Sequence, residues 1–149
     1  AASAAGNFGG PQTMPPDVLH LILCDDIQID PNNYHRCNVL GLMTSMRCCA
    51  IPPFPVIRPQ FVTLVVWTGG QGTGELTLHI IEEGTGNAVF RTRPRQVRFV
   101  GHAAEVGGVV FRIRNCSFPA AGLYWVQVLL GGLVIARQRL FLRPEEIAS

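Results

Sequence analysis

Residues 118–142, FPAAGLYWVQVLLGGLVIARQRLFL, constrain the fold of this chain more than any other segment. The apolar stretches on either side of Gly131 and Gly132 have the length and composition of β-strands. Because side chains of a strand alternate between two faces, each stretch has one largely apolar face that must be buried. The segment therefore predicts a β-hairpin, which needs further strands to pack against.

The register of this hairpin depends on the number of residues in its turn. A two-residue Gly-Gly turn would pair Leu130 with Leu133 and place the two arginines of the second strand on the apolar face of Tyr124. A three-residue loop would pair Leu130 with Val134 and send both arginines to the face of Trp125. Since a buried unpaired charge is costly, we predict the three-residue loop. The ring of Tyr124 is then expected in the core, with its hydroxyl on a backbone partner.

Other apolar stretches of strand length fill the rest of the chain and are separated by turn residues. They are 18–29, 37–47, 61–68, 76–81, 91–99 and 109–114. The stretch 61–68 is apolar on both faces, which predicts a central strand, whereas Pro94 marks 91–99 as a broken edge segment. No amphipathic helical pattern runs past about a dozen residues. Seven or eight short strands predict an all-β fold, a single antiparallel β-sandwich of the immunoglobulin-like kind.

The ends of the chain differ in composition from its body. Residues 1–16 are small, rich in glycine and proline, and uncharged, which predicts a flexible tail. Met14 offers an alternative natural start, so the sequence leaves open whether 1–13 are native. The sandwich is expected over 17–143, followed by a short tail at 144–149.

Two interior features interrupt the simple strand pattern. Four prolines between 51 and 59 predict a rigid crossover that does not join a strand ladder. Gly41 lies within a predicted strand, where a bulge or a close backbone approach is expected.

Composition excludes several classes of protein. Hydrophobic residues make up 48% of the chain and charged residues 15%, which excludes a disordered body. The net charge of +2 is too small to indicate a polyanion partner. No apolar run is long enough for a membrane helix, and no secretory signal is recognisable. Five cysteines without a Cys-x-x-Cys motif predict free thiols and a cytoplasmic location.

Three segments together resemble a known family. They are LILCDDIQID near the start, NVLGLMTSMR after it, and PAAGLYWVQVLLGGLVIARQRLFL at the end. The chain resembles a group of small bacterial β-sandwich domains of unknown function over most of 18–142. The resemblance implies an immunoglobulin-like sandwich and carries no activity.

Motifs of catalysis are missing from the sequence. There is no Gly-x-Ser-x-Gly, no phosphate loop and no His-Glu-x-x-His. The glycine-rich segment 69–74 has no lysine and no following helix, so it does not match a phosphate cradle. We predict that the protein is not an enzyme and has no cofactor.

Two residue groups are candidate metal ligands. Asp25, Asp26 and Asp30 precede two asparagines and offer oxygen ligands for calcium, but no second acidic loop completes the set. His35, Cys37 and the pair 48–49 match no zinc spacing. We predict no metal site, although the sequence leaves an ion at the aspartates open.

One charge cluster is a candidate anion or nucleic-acid site. It consists of Arg91, Arg93, Arg95 and Arg98. If the segment is extended, alternation puts the first three on one face. The preferred interpretation is an edge strand that charge and Pro94 protect against further pairing, since no aromatic residues are interleaved.

The face of the closing hairpin around Trp125 is the candidate interface. It consists of Leu123, Trp125, Leu129, Ile135, Arg137, Arg139 and Phe141. A solvated sheet face is normally polar, so large apolar groups there indicate a contact surface. The alternative is cover by the crossover at 51–59 or by the N-terminal tail. We predict a non-enzymatic interaction or scaffold domain that binds a protein partner or self-associates, with a symmetric homodimer favoured.

Overall fold

The computed structural model of the chain describes residues 14–48, 55–100 and 106–144. These residues form ten strands and no helix. The strands are β1 Asp17–Asp30, β2 Asn33–Met43, β3 Ser45–Cys48, β4 Val56–Thr68, β5 Gln71–Glu82, β6 Ala88–Arg91, β7 Arg95–Val100, β8 Val106–Phe118, β9 Gly122–Leu130 and β10 Leu133–Pro144.

The strands form two sheets that pack face to face. Sheet I has the order β2-β1-β4-β8, and sheet II has the order β3-β10-β9-β5-β6, with β7 also paired to β5. Neighbouring strands are antiparallel, apart from β3, which runs parallel to β10. The predicted immunoglobulin-like β-sandwich is confirmed. As predicted, β4 is central in its sheet, and β6 and β7 lie at an edge.

The described residues contain more strands than the seven or eight predicted because two predicted strands are each divided. Thr44 separates β2 from β3, and the chain crosses there from sheet I to sheet II. Residues 92–94 separate β6 from β7. Thr92 holds this break against β5, since the Leu78 amide donates to Thr92 Oγ1 at 2.9 Å and the Thr92 amide donates to the Leu78 carbonyl at 3.0 Å.

The prediction that 51–59 stays outside the ladders is wrong from Val56 onward. Val56, Ile57 and Arg58 pair with β8 in sheet I. The ladder between β1 and β4 ends at the pair Cys24 and Val62, so the first residues of β4 have a neighbour on one side only. Proline is tolerated at such a local edge, which explains Pro59 within the strand.

The core lies between the two sheets and is built from alternating residues of the central strands. Among its fully buried members are Phe61, Ile113, Phe118, Leu78, Tyr124 and Leu140. Phe118 and Tyr124 pack edge to face with ring centroids 5.0 Å apart. The Tyr124 hydroxyl donates to the Ala120 carbonyl at 2.6 Å. This geometry is a tyrosine corner, and it confirms the predicted place of Tyr124.

The closing hairpin has a different turn from the one predicted. Leu130 pairs with Leu133, so the turn has two residues, Gly131 and Gly132, with φ of 57° and 89°. These positive angles are those of a type I′ turn, whose twist suits a hairpin. The register then shifts by one residue between Val134 and Ala136. The predicted three-residue loop is therefore wrong, but the bulge restores the predicted pairing in the rest of the strands.

The second half of β1 no longer pairs with β4 and, together with β2, forms an arm over the outer face of β4 and β8. Alternation along β1 predicts that Leu23 and Ile27 share a face. Instead, Leu23 belongs to the core between the sheets, whereas Ile27 packs with Cys24, Val62 and Leu64 in a second cluster. Ile27 is only 5% exposed, although its part of β1 no longer pairs with β4. The arm therefore covers apolar surface that sheet I would otherwise expose to water.

Candidate functional site

Trp125 lies half-buried on the outer face of sheet II, between two arginines. The bulge in β10 places Arg139 opposite Trp125 and Arg137 opposite Gln127. The guanidinium carbon of Arg137 lies 4.3 Å from the Trp125 ring centroid, and that of Arg139 lies 5.5 Å away. Both distances are within the range of cation–π attraction. The two arginines predicted to share the Trp125 face therefore do so.

Ile81 of β5 and Glu83, just after β5, complete this face, and no sequence pattern singled them out. Ile81 pairs with Trp125 across the ladder, and the Trp125 indole N–H donates to the carboxylate of Glu83. We name this region the Trp125 surface: Ile81, Glu83, Leu123, Trp125, Gln127, Arg137, Arg139 and Phe141. Glu83 falls in the predicted turn 82–87, and no sequence signal links that turn to β9 because their pairing is not local.

The other predicted interface residues lie in different environments. Leu123 and Phe141 pair with each other beside Trp125, and Phe141 is 41% exposed. Leu129 also lies on this side of β9 but is only 8% exposed. Ile135 occupies the bulge and packs against the core between the sheets, contrary to its predicted place on the outer face. The accessible apolar part of the surface is therefore concentrated at Trp125 and Phe141.

The part of the predicted crossover that the structure describes does not cover the Trp125 surface. Residues 56–59 belong to β4 in the opposite sheet. Residues 51–54 and 1–13, the other parts of the proposed cover, lie outside the described residues.

The Trp125 surface has unequal numbers of positive and negative charges. In the described parts of the chain, ion pairs join Arg58 to Asp25 at 3.0 Å and Arg112 to Asp26 at 3.1 Å, and both belong to sheet I. No described carboxylate forms an ion pair with Arg137 or Arg139. Both guanidinium groups contact the indole ring, which accepts none of their N–H groups in its plane, so donors remain available for an outside group.

His79 lies on the same outer face of sheet II, beside Gln127. It pairs with Arg91 of β6. Burial lowers the pKa of His79 below its usual value, and the positive charge of Arg91 lowers it further. His79 is therefore neutral at neutral pH and adds hydrogen-bonding capacity to the face without adding charge.

The candidate anion strip does not form one continuous face. Arg91 and Arg98 point outward from sheet II opposite His79 and Thr73. Arg95 turns the other way, donates from Nη1 to the Val110 carbonyl at 2.7 Å, and lies 5.9 Å from the Phe111 ring centroid. Arg95 thus occupies a backbone acceptor of β8, at an edge of sheet I.

The three aspartates considered for calcium have partners within the protein. Asp25 and Asp26 pair with arginines, and Asp30 Oδ1 accepts a hydrogen bond from the Asn32 amide in the turn. The Ile27 amide and Arg112 both hold the pKa of Asp26 below its usual value. Gly41, with φ of 68°, lies directly against Asp25, so the predicted close approach is confirmed. These contacts give the aspartates a structural role at the start of the arm.

Cysteine and histidine side chains do not assemble a metal centre in the described part of the chain. No three metal-ligating side chains lie together there. The side chains of His35 and of residues 48–49, which complete the zinc candidate, lie outside the described set. Cys24, Cys37 and Cys116 are free thiols. Burial raises the pKa of the Cys116 thiol to about 12.

A groove of about 330 Å³ runs between the arm and the outer face of sheet I. Its lining is mainly apolar and includes Ile27, Ile29, Cys37, Leu64, Val66 and Val110. The charged side chain at its margin, Arg95, is already bonded to a backbone carbonyl.

The described part of the chain contains no helix with the length and apolarity that a membrane crossing requires.

Two solved structures are similar to this chain in fold alone. The alkylpurine DNA glycosylase of Pseudomonas fluorescens, bound to DNA with an abasic site analogue, matches 83% of this chain at 10% identity and a TM-score of 0.44. The match spans only 30% of the glycosylase chain. An immunoglobulin-like protein of Pseudomonas aeruginosa matches 83% of this chain and 97% of its own length, at 12% identity and a TM-score of 0.38.

No curated protein matches the chain in sequence. A family model matches residues 19–143, a range that includes nearly all of both sheets and the whole Trp125 surface. The match confirms the expected relation to a family without assigned activity. This chain belongs to that family, the family of unknown function DUF6941.

Proposed function

We propose that this protein is a non-enzymatic interaction domain that binds a protein partner through the Trp125 surface. The observation that supports it is the pair of arginines held over a half-buried tryptophan, without a described carboxylate paired to either. Tryptophan and arginine are the residues most enriched at energetic centres of protein interfaces. An immunoglobulin-like fold and a family of unknown function agree with a binding role.

We further propose that this domain works in the cytoplasm. The free thiols of Cys24, Cys37 and Cys116 support a reducing compartment. Fractionation of the source cells, followed by immunodetection of the untagged chain, tests this. Recovery from an oxidising compartment would contradict it.

Site-specific photocrosslinking tests the binding role. A photoreactive amino acid replaces Gln127, at the middle of the Trp125 surface, in the full chain. The matched control replaces Gln60, an exposed glutamine on the opposite sheet. In a lysate of the source organism, we expect a discrete protein adduct at position 127 and none at position 60. Equal labelling at both positions, or none at 127, would refute the proposal.

A further inference from the structure

The guanidinium groups of Arg137 and Arg139 contact the Trp125 ring but form no ion pair with a described carboxylate. A guanidinium over an aromatic ring keeps its N–H donors in a planar fork, which matches the geometry of a carboxylate. The arginines are anchored by a ring that itself donates to Glu83. The ring contact restricts both side chains before a partner arrives, which lowers the entropy cost of binding.

The carboxylate of Glu83 lies on the same face but forms no ion pair with Arg137 or Arg139 among the described residues. The Glu83 carboxylate accepts the hydrogen bond of the Trp125 indole. Glu75, on the outer face of β5, accepts a hydrogen bond from Gln96 at 2.7 Å. The described part of the Trp125 surface thus leaves a net positive site beside the apolar pair Leu123 and Phe141.

We propose that the partner is an acidic protein segment whose carboxylates pair with Arg137 and Arg139 and whose apolar side chains rest on Phe141. This inference rests on the proposed function and adds the chemistry of the partner. The inference rests on charge complementarity, because carboxylates of a partner can accept hydrogen bonds from both guanidinium groups.

A second copy of the chain fits this surface less well. In a two-fold dimer the same patch forms both sides of the interface. Each patch carries Arg137, Arg139 and the single carboxylate of Glu83, so two net positive patches would face each other. Like charges placed together across an interface oppose association. The observed charge distribution therefore argues against the symmetric homodimer that the sequence favoured.

Nucleic acid also fits less well than an acidic protein. Binding of single strands needs an aromatic face on which a base can stack. Arg137 already lies over the Trp125 ring at 4.3 Å.

Binding of defined peptides tests the partner chemistry. The probes are fluorescent peptides in which Asp or Glu alternates with Leu or Phe, and a second set in which Asn and Gln replace the acids. Anisotropy is measured at low and at physiological salt with the full chain. We expect acidic peptides to bind and their amide counterparts to bind at least about tenfold more weakly.

Two double variants locate the binding. Arg137→Gln with Arg139→Gln removes the charges of the Trp125 surface, and we expect at least about a tenfold loss of affinity. Arg36→Gln with Arg114→Gln removes the same charge from exposed positions in sheet I and is expected to bind acidic peptides as the wild type does. Circular dichroism of both variants verifies that the sandwich is retained.

Several outcomes would overturn the inference. They are equal binding of acidic and amide peptides, no peptide binding, or equal loss in both double variants. A wild-type dimer that dissociates in the Arg137→Gln, Arg139→Gln variant would assign the surface to self-association. An oligonucleotide whose affinity depends on these two arginines would assign it to nucleic acid. If position 127 crosslinks to a neutral or basic protein, the inference fails while the proposed function remains.

Discussion

At the scale of single residues, the core contains one buried hydroxyl that is hydrogen-bonded and one that has no partner among the described residues. The Tyr124 hydroxyl donates to the Ala120 carbonyl, and the Ala120 amide donates back to it at 3.3 Å. Thr63 Oγ1 is equally buried but has no hydrogen-bond partner among the described residues. One hydroxyl therefore stabilises the fold, whereas the other carries an unrecovered cost of desolvation.

Removing the Tyr124 hydroxyl should destabilise the protein moderately, and removing the ring should do so severely. We expect Tyr124→Phe to cost about 1 kcal/mol, the net value of a hydrogen bond. Tyr124→Ala should cost about 3 kcal/mol or more because it leaves a cavity. Urea denaturation measures both. Equal stability of the wild type and the alanine variant would refute the core placement.

Replacing Thr63 by valine should stabilise the protein. The change removes the unpaired hydroxyl and adds a methyl group of similar size, so we expect a gain of about 1 kcal/mol in the free energy of unfolding. Thr77→Val, at a half-buried position on the outer face of sheet II, serves as the control and should change stability little. A loss at position 63 would indicate that the hydroxyl has a partner.

The three described free thiols should differ in reactivity with a disulfide reagent in the folded protein. Cys37 is exposed, whereas burial raises the pKa of Cys24 and that of Cys116, the latter to about 12. Only the thiolate reacts, so Cys37 should react first. All five cysteines should react after denaturation. Fewer than five reactive thiols without reductant would contradict the reducing compartment.

Stability should also fall at alkaline pH because of Cys116. Its pKa is raised above the ordinary value of 9.0 on folding, so the folded state keeps a proton that the unfolded state releases. The contribution is complete below pH 9.0 and is lost as the pH rises through about 12. Cys116→Val should flatten this part of the profile. An unchanged slope in that variant would contradict the assignment.

At the scale of strands and turns, some features follow from local sequence pattern and others depend on tertiary pairing. Alternation predicted the strands and placed Arg137 and Arg139 on the Trp125 face. The bulge at Ile135, by contrast, reconciles a two-residue turn with the strand pairing that keeps both arginines out of the core. Sequence pattern alone predicted a longer loop instead. Glu83 joined the candidate site through pairing of β5 with β9, which no local feature announces.

Two glycine substitutions in turns and strands should differ in cost, because one causes backbone strain alone and the other also causes a steric clash. Gly41 and Gly132 both have positive φ, at 68° and 89°. A Cβ at position 132 meets no atom within 4 Å, whereas one at position 41 would clash with the Asp25 carboxylate. Gly132→Ala should cost about 1 kcal/mol from backbone strain alone. Gly41→Ala should cost more, because Asp25 must move away from Arg58, and equal costs would refute this.

At the scale of the whole molecule, the outer faces of the two sheets differ in how much of their apolar surface is covered. The β1–β2 arm covers sheet I and buries Ile27, whereas in sheet II Trp125 stays half-buried beneath two exposed arginines. Sequence pattern predicted an apolar outer face on the closing hairpin. It did not predict the arm, because β1 continues as one strand past Cys24 while its pairing with β4 ends there, and the end of that pairing depends on the path of β4.

The arm should therefore detach when its anchor is shortened, while the sandwich remains folded. Ile27→Ala removes apolar contact with Val62 and Leu64 and should cost about 2 kcal/mol or more. Hydrogen exchange should accelerate at 26–40 and stay slow in β5 and β9, the interior of sheet II. Leu40→Ala, at a position of the same arm that is 40% exposed, is the matched control and should change neither quantity appreciably. If exchange rises uniformly over both sheets, the arm is part of the main cooperative unit, and the separate role of the second cluster is wrong.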